Sequence, residues 1–520
     1  MKKFTILVLI LALALFSVAC SSEEAGTSGE TKGASGDKEI TIAIDQNFIT
    51  LDPHNAGDTV SIFGIRSMYE GLVGFDKDMK IVPALAESYE ISDDGLNYTF
   101  KLRQDVTFHD GEPFNAEAVK ANYDRIMDDA NNLSAKRSLK SVKSMEIVSD
   151  YEVSFNLIEP FSAMINKFGM VPMISPKAIE KGTKYIETNP VGTATFEFVE
   201  WKQGKTLEVK KYADYWGGDQ TNVEKVKFSP VPENGSRVAM LKTGEADFVY
   251  PMPQQDVKQF ENNKDVTINE SPSSIVRYVS INTFMEQYKD LKVRQAMNLA
   301  VDKEAYIQVV KSGFGHVLDS TMASETQYYA KQKAYEFDVK KAKELMKEAG
   351  YEKGFEAEIW GNTSSESLKG MEFIKQQLAQ IDIDVKIKSM EEGTLSDEIY
   401  TPAKPEDAKV QMWYVSWSPS SGDADGATRS LFSNEYFPPN GANTAYYDND
   451  KVTNWIKEAN TKTDPKEQEK IYQEIQRTVF QEAPWIFLAS DVNLSAQVNH
   501  LEGVYVAPDG SIDISKAQLK

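Results

Sequence analysis

Residues Tyr89 to Ile126 read YEISDDGLNYTFKLRQDVTFHDGEPFNAEAVKANYDRI, and the hydrophobic period changes within them. Leu96, Tyr98, Phe100 and Leu102 alternate with polar residues, the period of a strand with one buried face. Asp94-Gly95 stands just before them and suits the turn of a β-hairpin. From Asn115 the period lengthens. Ala118, Val119, Asn122 and Ile126 fall on one helical face, with Asn115 placed to cap it. A hairpin followed by an amphipathic helix is therefore predicted.

Strand and helix keep exchanging on either side. EITIAI from Glu39 alternates Ile40, Ile42 and Ile44 as a strand. Asp338 caps a helix through Val339, Ala342, Leu345, Met346 and Ala349, and Gly350 stops it. A second helix carries Leu368, Met371, Ile374, Leu378 and Ile381, and IDVKIKSM follows as a strand. Asp464-Pro465 opens a long helix through Ile471, Ile475 and Val479, with Glu467 placed for a capping box. Pro484 ends it, and WIFLA reads as a short buried strand. This order predicts α/β lobes with sheets covered on both faces. The 520 residues exceed one ordinary core and call for two or three lobes.

The N-terminus carries an address. MKKFTILVLILALALFSVAC has two lysines, an apolar run and small residues before Cys20, the pattern of a secretory signal over residues 1–19. Cys20 is the sole cysteine, so no internal disulfide or thiolate cluster is available. Its setting after Val18-Ala19 resembles a bacterial lipobox, with Ser17 where Leu is usual, and predicts lipidation of Cys20. Residues 20–38 then lack large apolar side chains after the cysteine and read as a flexible tether. The formal net charge of −22 argues against nucleic acid as a partner.

Catalytic and metal signatures are missing from the sequence. His54, His109, His316 and His500 lie far apart, and no His/Cys metal spacing, nucleophile elbow, P-loop or dinucleotide fingerprint occurs. His109 reads as a surface turn histidine. The remaining chemistry gathers in WYVSWSPSSGDADGATRSLF, Trp413 to Phe432, where Asp423, Asp425 and Arg429 sit on a small-residue loop. Its partial likeness to a calcium loop fails at both ends, Ser421 and Phe432.

A series of segments then points to one family. LDPHNAGDT, YEGLVGFD, PALAESYEISDDGLNYTFKLRQDVTFHDGEPFNAEAVKANYDR, NPVGT, YWGG, VRQAMNLAVDKEAY, KAKELMKEAGY and YQEIQRTVFQEAPWI occur in that order. Together they resemble the peptide- and nickel-type solute-binding proteins of ABC importers, solute-binding protein family 5. WSPSSGDADGATRSLFSNEYFPPNGANTAYYDN, SRVAMLKTGEADFVYPMP, SPSSIVRYVSIN and VYVAPDGSIDI resemble its glutathione-binding branch. Gly192-Thr193-Ala194-Thr195-Phe196 departs from the Gly-Thr-Gly-Pro-Tyr of most relatives.

The resemblance implies a two-lobed α/β periplasmic-binding-protein-like fold (type II, cluster C) with an extra subdomain in the first lobe. Lobe I is expected over about 39–65, 187–272 and 485–520, the subdomain over about 66–186, and lobe II over about 273–484. It implies a non-catalytic, cofactor-free, monomeric receptor that hands its cargo to an ABC permease. The receptor would sit by its lipid outside the cytoplasmic membrane, or in the periplasm of a two-membrane cell. The cargo implied is glutathione or a short peptide. A nickel chelate, haem, a longer peptide or a purely sensing role remain alternatives. A peptide's ammonium needs a carboxylate and its carboxylates need forked arginines. Peptide-binding relatives place an aspartate in the loop after Trp417, so Asp423 or Asp425 is a candidate for the ammonium, and Arg429 and Arg277 for carboxylates. The bland alternative has Asp423 capping a helix and Arg429 pairing with an acid of its own lobe. Tyr414 and Trp417, with Trp413, either stack on ligand or belong to the core. Asn443 and Tyr446, with Tyr447, are further candidates in NTAYY.

Overall fold

The computed structural model describes residues 38–402, 404–419 and 421–520. The expected signal, Cys20 and the tether up to residue 37 lie outside the described residues. None of the described helices is long and apolar enough to cross a membrane.

The opening segment folds as its periods require. Ala86–Ile91 and Asn97–Leu102 pair antiparallel around Gly95, whose φ is +69°, and Ala116–Met127 follows with the Asn115 side chain accepting from the Ala118 amide. Two more strands, Val142–Ser149 and Glu152–Leu157, complete a separate four-stranded antiparallel sheet. Its own core stacks Phe100, Phe155 and Phe168, with ring centroids 4.6 to 5.9 Å apart.

The other large sheet has eleven strands and spans two lobes. At one end, Phe355–Asn362 lies parallel between Ile383–Met390 and Met412–Trp417. At the other, Glu39–Ile44 lies parallel between Lys225–Pro230 and Phe248–Tyr250. Two long antiparallel strands, Val266–Ile281 and Trp485–Val498, join the halves. Residues 266–272 pair with 492–498, and the register breaks before residues 276–280 pair with 485–490. Leu494 and Ala496 enter the first lobe's core, whereas Ile486, Leu488 and Ala489 enter the second's. The crossing therefore falls near residue 491, inside a strand that division at 485 assigns wholly to lobe I.

Two polar knots tie the four-stranded layer to the first lobe. In one, Arg125 makes a forked pair with Asp52 at 2.6 and 3.1 Å, and also donates to His54 Nδ1 at 2.7 Å. His54 Nε2 donates to the Pro172 carbonyl at 2.8 Å. Burial, then the neighbouring guanidinium, depress the His54 pKa to about 4, so the imidazole stays neutral. Breaking a buried pair of this kind by removing one partner costs about 3–5 kcal/mol. In the other knot, Glu70 accepts from Thr193 Oγ1 (2.8 Å), Tyr215 OH (3.0 Å) and Trp216 Nε1 (2.9 Å). Gly192 is required beside it, because a Cβ there would stand 2.1 Å from the Met68 carbonyl oxygen. His109 is part of the same seam rather than a surface residue. Its Nε2 donates to the Ala194 carbonyl at 3.0 Å, and its ring meets Tyr212 edge-on at 4.8 Å.

Burial raises the Glu70 pKa from 4.5 to about 6 despite three donors. The folded state therefore holds this proton more tightly, and its contribution to stability is full below pH 4.5 and lost as pH rises through about 6. Glu70→Gln should remove that dependence. The stability of the parent relative to the variant should fall by about 2 kcal/mol between pH 4 and 7, measured by urea unfolding at each pH.

Candidate functional site

In open α/β sheets, binding crevices form beyond the carboxyl ends of parallel strands. Phe355–Asn362, Ile383–Met390 and Met412–Trp417 end together, and the helices Ser365–Leu378 and Glu392–Tyr400 start there. Close packing sets the first helix: a Cβ on Gly370 would stand 2.4 Å from the Tyr414 ring, and one on Gly361 2.6 Å from Ser367 Oγ. A cavity of about 470 Å³ opens at this corner, bounded by Asn362, Glu366, Glu392, Tyr400, Trp413, Tyr414, Trp417 and Arg277.

Four charges form a closed ring beside it, and two of them, Arg277 and Glu366, line the cavity. Arg277 donates from Nε to Asp491 at 2.9 Å and lies 3.2 Å from Glu366 through Nη1. Lys311 reaches Glu366 at 3.2 Å and Asp491 at 3.1 Å. Burial acts to lower the Arg277 pKa, but Asp491 and Glu366 outweigh it and raise the value. Arg277 and Asp491 stand on the two crossing strands, so the ring sits where the lobes join. Arg277 Nη2 has no hydrogen-bond partner among the described residues. Ser367 Oγ, on a residue 4 % exposed, is likewise unpartnered.

The candidates read from sequence fall into three groups. Arg277, Tyr414 and Trp417 line the cavity. Tyr414 is also core, its hydroxyl bonded to that of Tyr306, while Trp417 Nε1 donates to the Gly426 carbonyl at 3.1 Å. Asp423, Asp425 and Arg429 form the second group, and each has a charged partner within the chain. Asp423 is 1 % exposed and accepts from the Gly426 amide (2.7 Å), Ser421 Oγ and Lys167 Nζ (3.2 Å). Burial raises its pKa, but Lys167, Ser421 and Gly426 outweigh burial and hold the carboxylate below its usual range. Asp425 takes a fork from Arg429 Nε at 3.0 and 3.1 Å and an amide from Asn460 at 2.7 Å. Asn443 and Tyr446 make the third group, fully buried away from the cavity lining. Asn443 braces its own loop through Ser433 and Tyr447, and Tyr446 packs on Phe284 and Phe437.

Lys167 belongs to the four-stranded layer, so its bond to Asp423 crosses a seam. Asn166 Nδ2 adds a bond to the Ser421 carbonyl at 2.9 Å, and the Ser162 amide one to the Asn460 carbonyl at 3.2 Å. A second cavity, of about 780 Å³, opens along this seam between Tyr89, Tyr98, Phe161 and Tyr328. Lys167, Lys311, Glu366, Glu392 and Asp491 join these candidates at the cavity, its charge ring and the seam. Glu366 and Glu392 carried a usable signal, because each opens a helix just after a strand. The other three meet the site only through tertiary contacts.

Comparison with known proteins agrees with this architecture. Residues 80–439 match the model described as bacterial extracellular solute-binding proteins, family 5 middle. The chain is 38 % identical over 486 residues to the glutathione-binding protein GsiB of Escherichia coli O1:K1 / APEC, covering 93 % of this chain and 95 % of that protein. Among solved structures, HbpA2 from Haemophilus parasuis superposes with a TM-score of 0.84 at 27 % identity, covering 93 % of this chain and all of that one (100 %). The periplasmic binding protein DppA from Helicobacter pylori, in complex with the peptide STSA, gives 0.72 at 28 % identity, covering 91 % and 97 %.

The seam contact yields a measurable cost. Lys167→Met leaves the buried Asp423 carboxylate with only a hydroxyl and one amide. Urea unfolding should show a loss of about 2 kcal/mol, most of it recovered by Lys167→Arg.

Proposed function

This chain belongs to the bacterial extracellular solute-binding proteins of family 5, and from that premise we propose that it captures glutathione or a closely similar short peptide for import. As a member it is a two-lobed, non-catalytic solute receptor of an ABC importer that works outside the cytoplasm. The cargo reading rests on one observation above all. Arg277, whose Nη2 has no hydrogen-bond partner among the described residues, lines a cavity with Tyr400, Trp413 and Trp417 in its wall, at the junction of the lobes. A carboxylate-bearing, peptide-sized ligand matches that wall. The 38 % identity to a glutathione-binding protein supports the same cargo.

In this reading Arg277, Trp417 and Tyr414 meet the ligand. Asp423, Asp425 and Arg429 hold the loop that shapes the cavity and joins it to the four-stranded layer, while Asn443 and Tyr446 brace the segment behind it. Residues 66–186 form the extra subdomain of a type II, cluster C receptor. Cys20 carries the lipid, and the monomer delivers cargo to the permease from the membrane surface.

Thermal unfolding of the protein expressed from the full-length chain tests the cargo. Reduced and oxidised glutathione, di- to tetrapeptides, a nickel–histidine chelate and haem are the probes. A ligand that binds only the folded state, at 100 times its Kd, adds about 2.7 kcal/mol of stability. Stabilisation by glutathione is expected. Stabilisation by the chelate or haem with none by glutathione or peptides overturns the reading.

A further inference from the structure

We propose that Glu392 is the carboxylate that receives the ligand's ammonium group, and that a zwitterionic ligand lies between it and Arg277. This deepens, and rests on, the peptide-type cargo reading above. A ligand ammonium enclosed between lobes needs a carboxylate partner, because an unpaired charge out of water is costly. The aspartates after Trp417 do not supply one here. Asp423 is taken by Lys167, and Asp425 by Arg429 and Asn460.

Two acids line the cavity, Glu366 and Glu392. Glu366 is shared by Arg277 and Lys311, and with Asp491 it closes a ring of two cations and two anions. Glu392 differs on each count. It is exposed, and its one hydrogen bond among the described residues is from Asn362 Nδ2, at 2.8 Å. No lysine or arginine stands within 4.0 Å of it among the described residues. Nor is it needed to cap its helix. Glu391 does that, accepting from the Gly393 and Thr394 amides at 2.8 and 3.2 Å.

Asn362 is itself oriented, since its Oδ1 accepts from both the amide and the hydroxyl of Ser364. Its Nδ2 therefore points at Glu392 and aims that carboxylate without neutralising it. The cavity wall thus offers a guanidinium edge at Arg277 and an uncompensated carboxylate at Glu392. A ligand with a free amine and a carboxylate satisfies both, and one with the amine acylated leaves Glu392 unmatched.

Isothermal titration of the full-length chain and its Glu392→Gln variant decides this, with glutathione, a tripeptide, and the N-acetylated form of each as probes. Glutamine keeps an oxygen for Asn362, and ligand-free unfolding of the variant checks that its fold is intact. The parent should bind the free amines at least about tenfold tighter than the acetylated forms. Glu392→Gln should lose most of that preference while binding the acetylated forms as the parent does. An undiminished preference in the variant overturns the role of Glu392 and leaves the cargo reading standing. Equal binding of free and acetylated forms by the parent overturns it too. No binding of any probe by the parent overturns the cargo reading, and this assignment with it.

Discussion

The two lobes are joined through one antiparallel pairing, that of Val266–Ile281 with Trp485–Val498. Each strand runs out of one hydrophobic core and into the other, and the register breaks between. The ladder is regular through residues 266–272, shifts register before Val276, and shifts once more between Arg277 and Tyr278. Arg277 pairs with Ala489 in the ladder, and its side chain reaches diagonally to Asp491. The Arg277–Asp491 ion pair is therefore built into the joint between the lobes.

Buried charge explains why so many recognisable segments lie away from the cleft. Asp52, His54 and Arg125 come from LDPHN and NYDR, and they meet in a knot with almost no exposure. Glu70, Thr193, Tyr215 and Trp216 come from YEGL, NPVGT and YWGG and form a second. Both join the four-stranded layer to the first lobe. Such groups tolerate little change, since one lost partner strands a charge in a medium that cannot solvate it. They carry the architecture, and the cavity uses other residues.

The regular elements were legible because local periodicity controls them. The hairpin at Gly95, the Asn115 cap and the helices Val339–Glu348, Ser365–Leu378 and Pro465–Glu482 each follow from residues within one or two turns. Val266–Ile281 was not legible as one strand, because SPSS in its middle reads as a break. WIFLA proved to be the first third of a strand of 14 residues. Its continuation SDVNLSAQV is polar enough to read as loop, and it stays extended because both its neighbours in the sheet hold it.

The candidate site was legible in part. Arg277, Tyr414 and Trp417 stand at the cavity, as an arginine on a strand and aromatics leading to a loop allow. The partners that decide what each charge is free to do come from far along the chain: Lys167 for Asp423, Asn460 for Asp425, Asp491 for Arg277. By itself the sequence determined the fold class, the family and the inventory of charges, since these rest on local period and on ordered motifs. Only the tertiary structure decided which charges are spent inside the protein and which face a cavity. Ion pairing acts through space over a few ångströms, and separation along the chain says nothing about that distance.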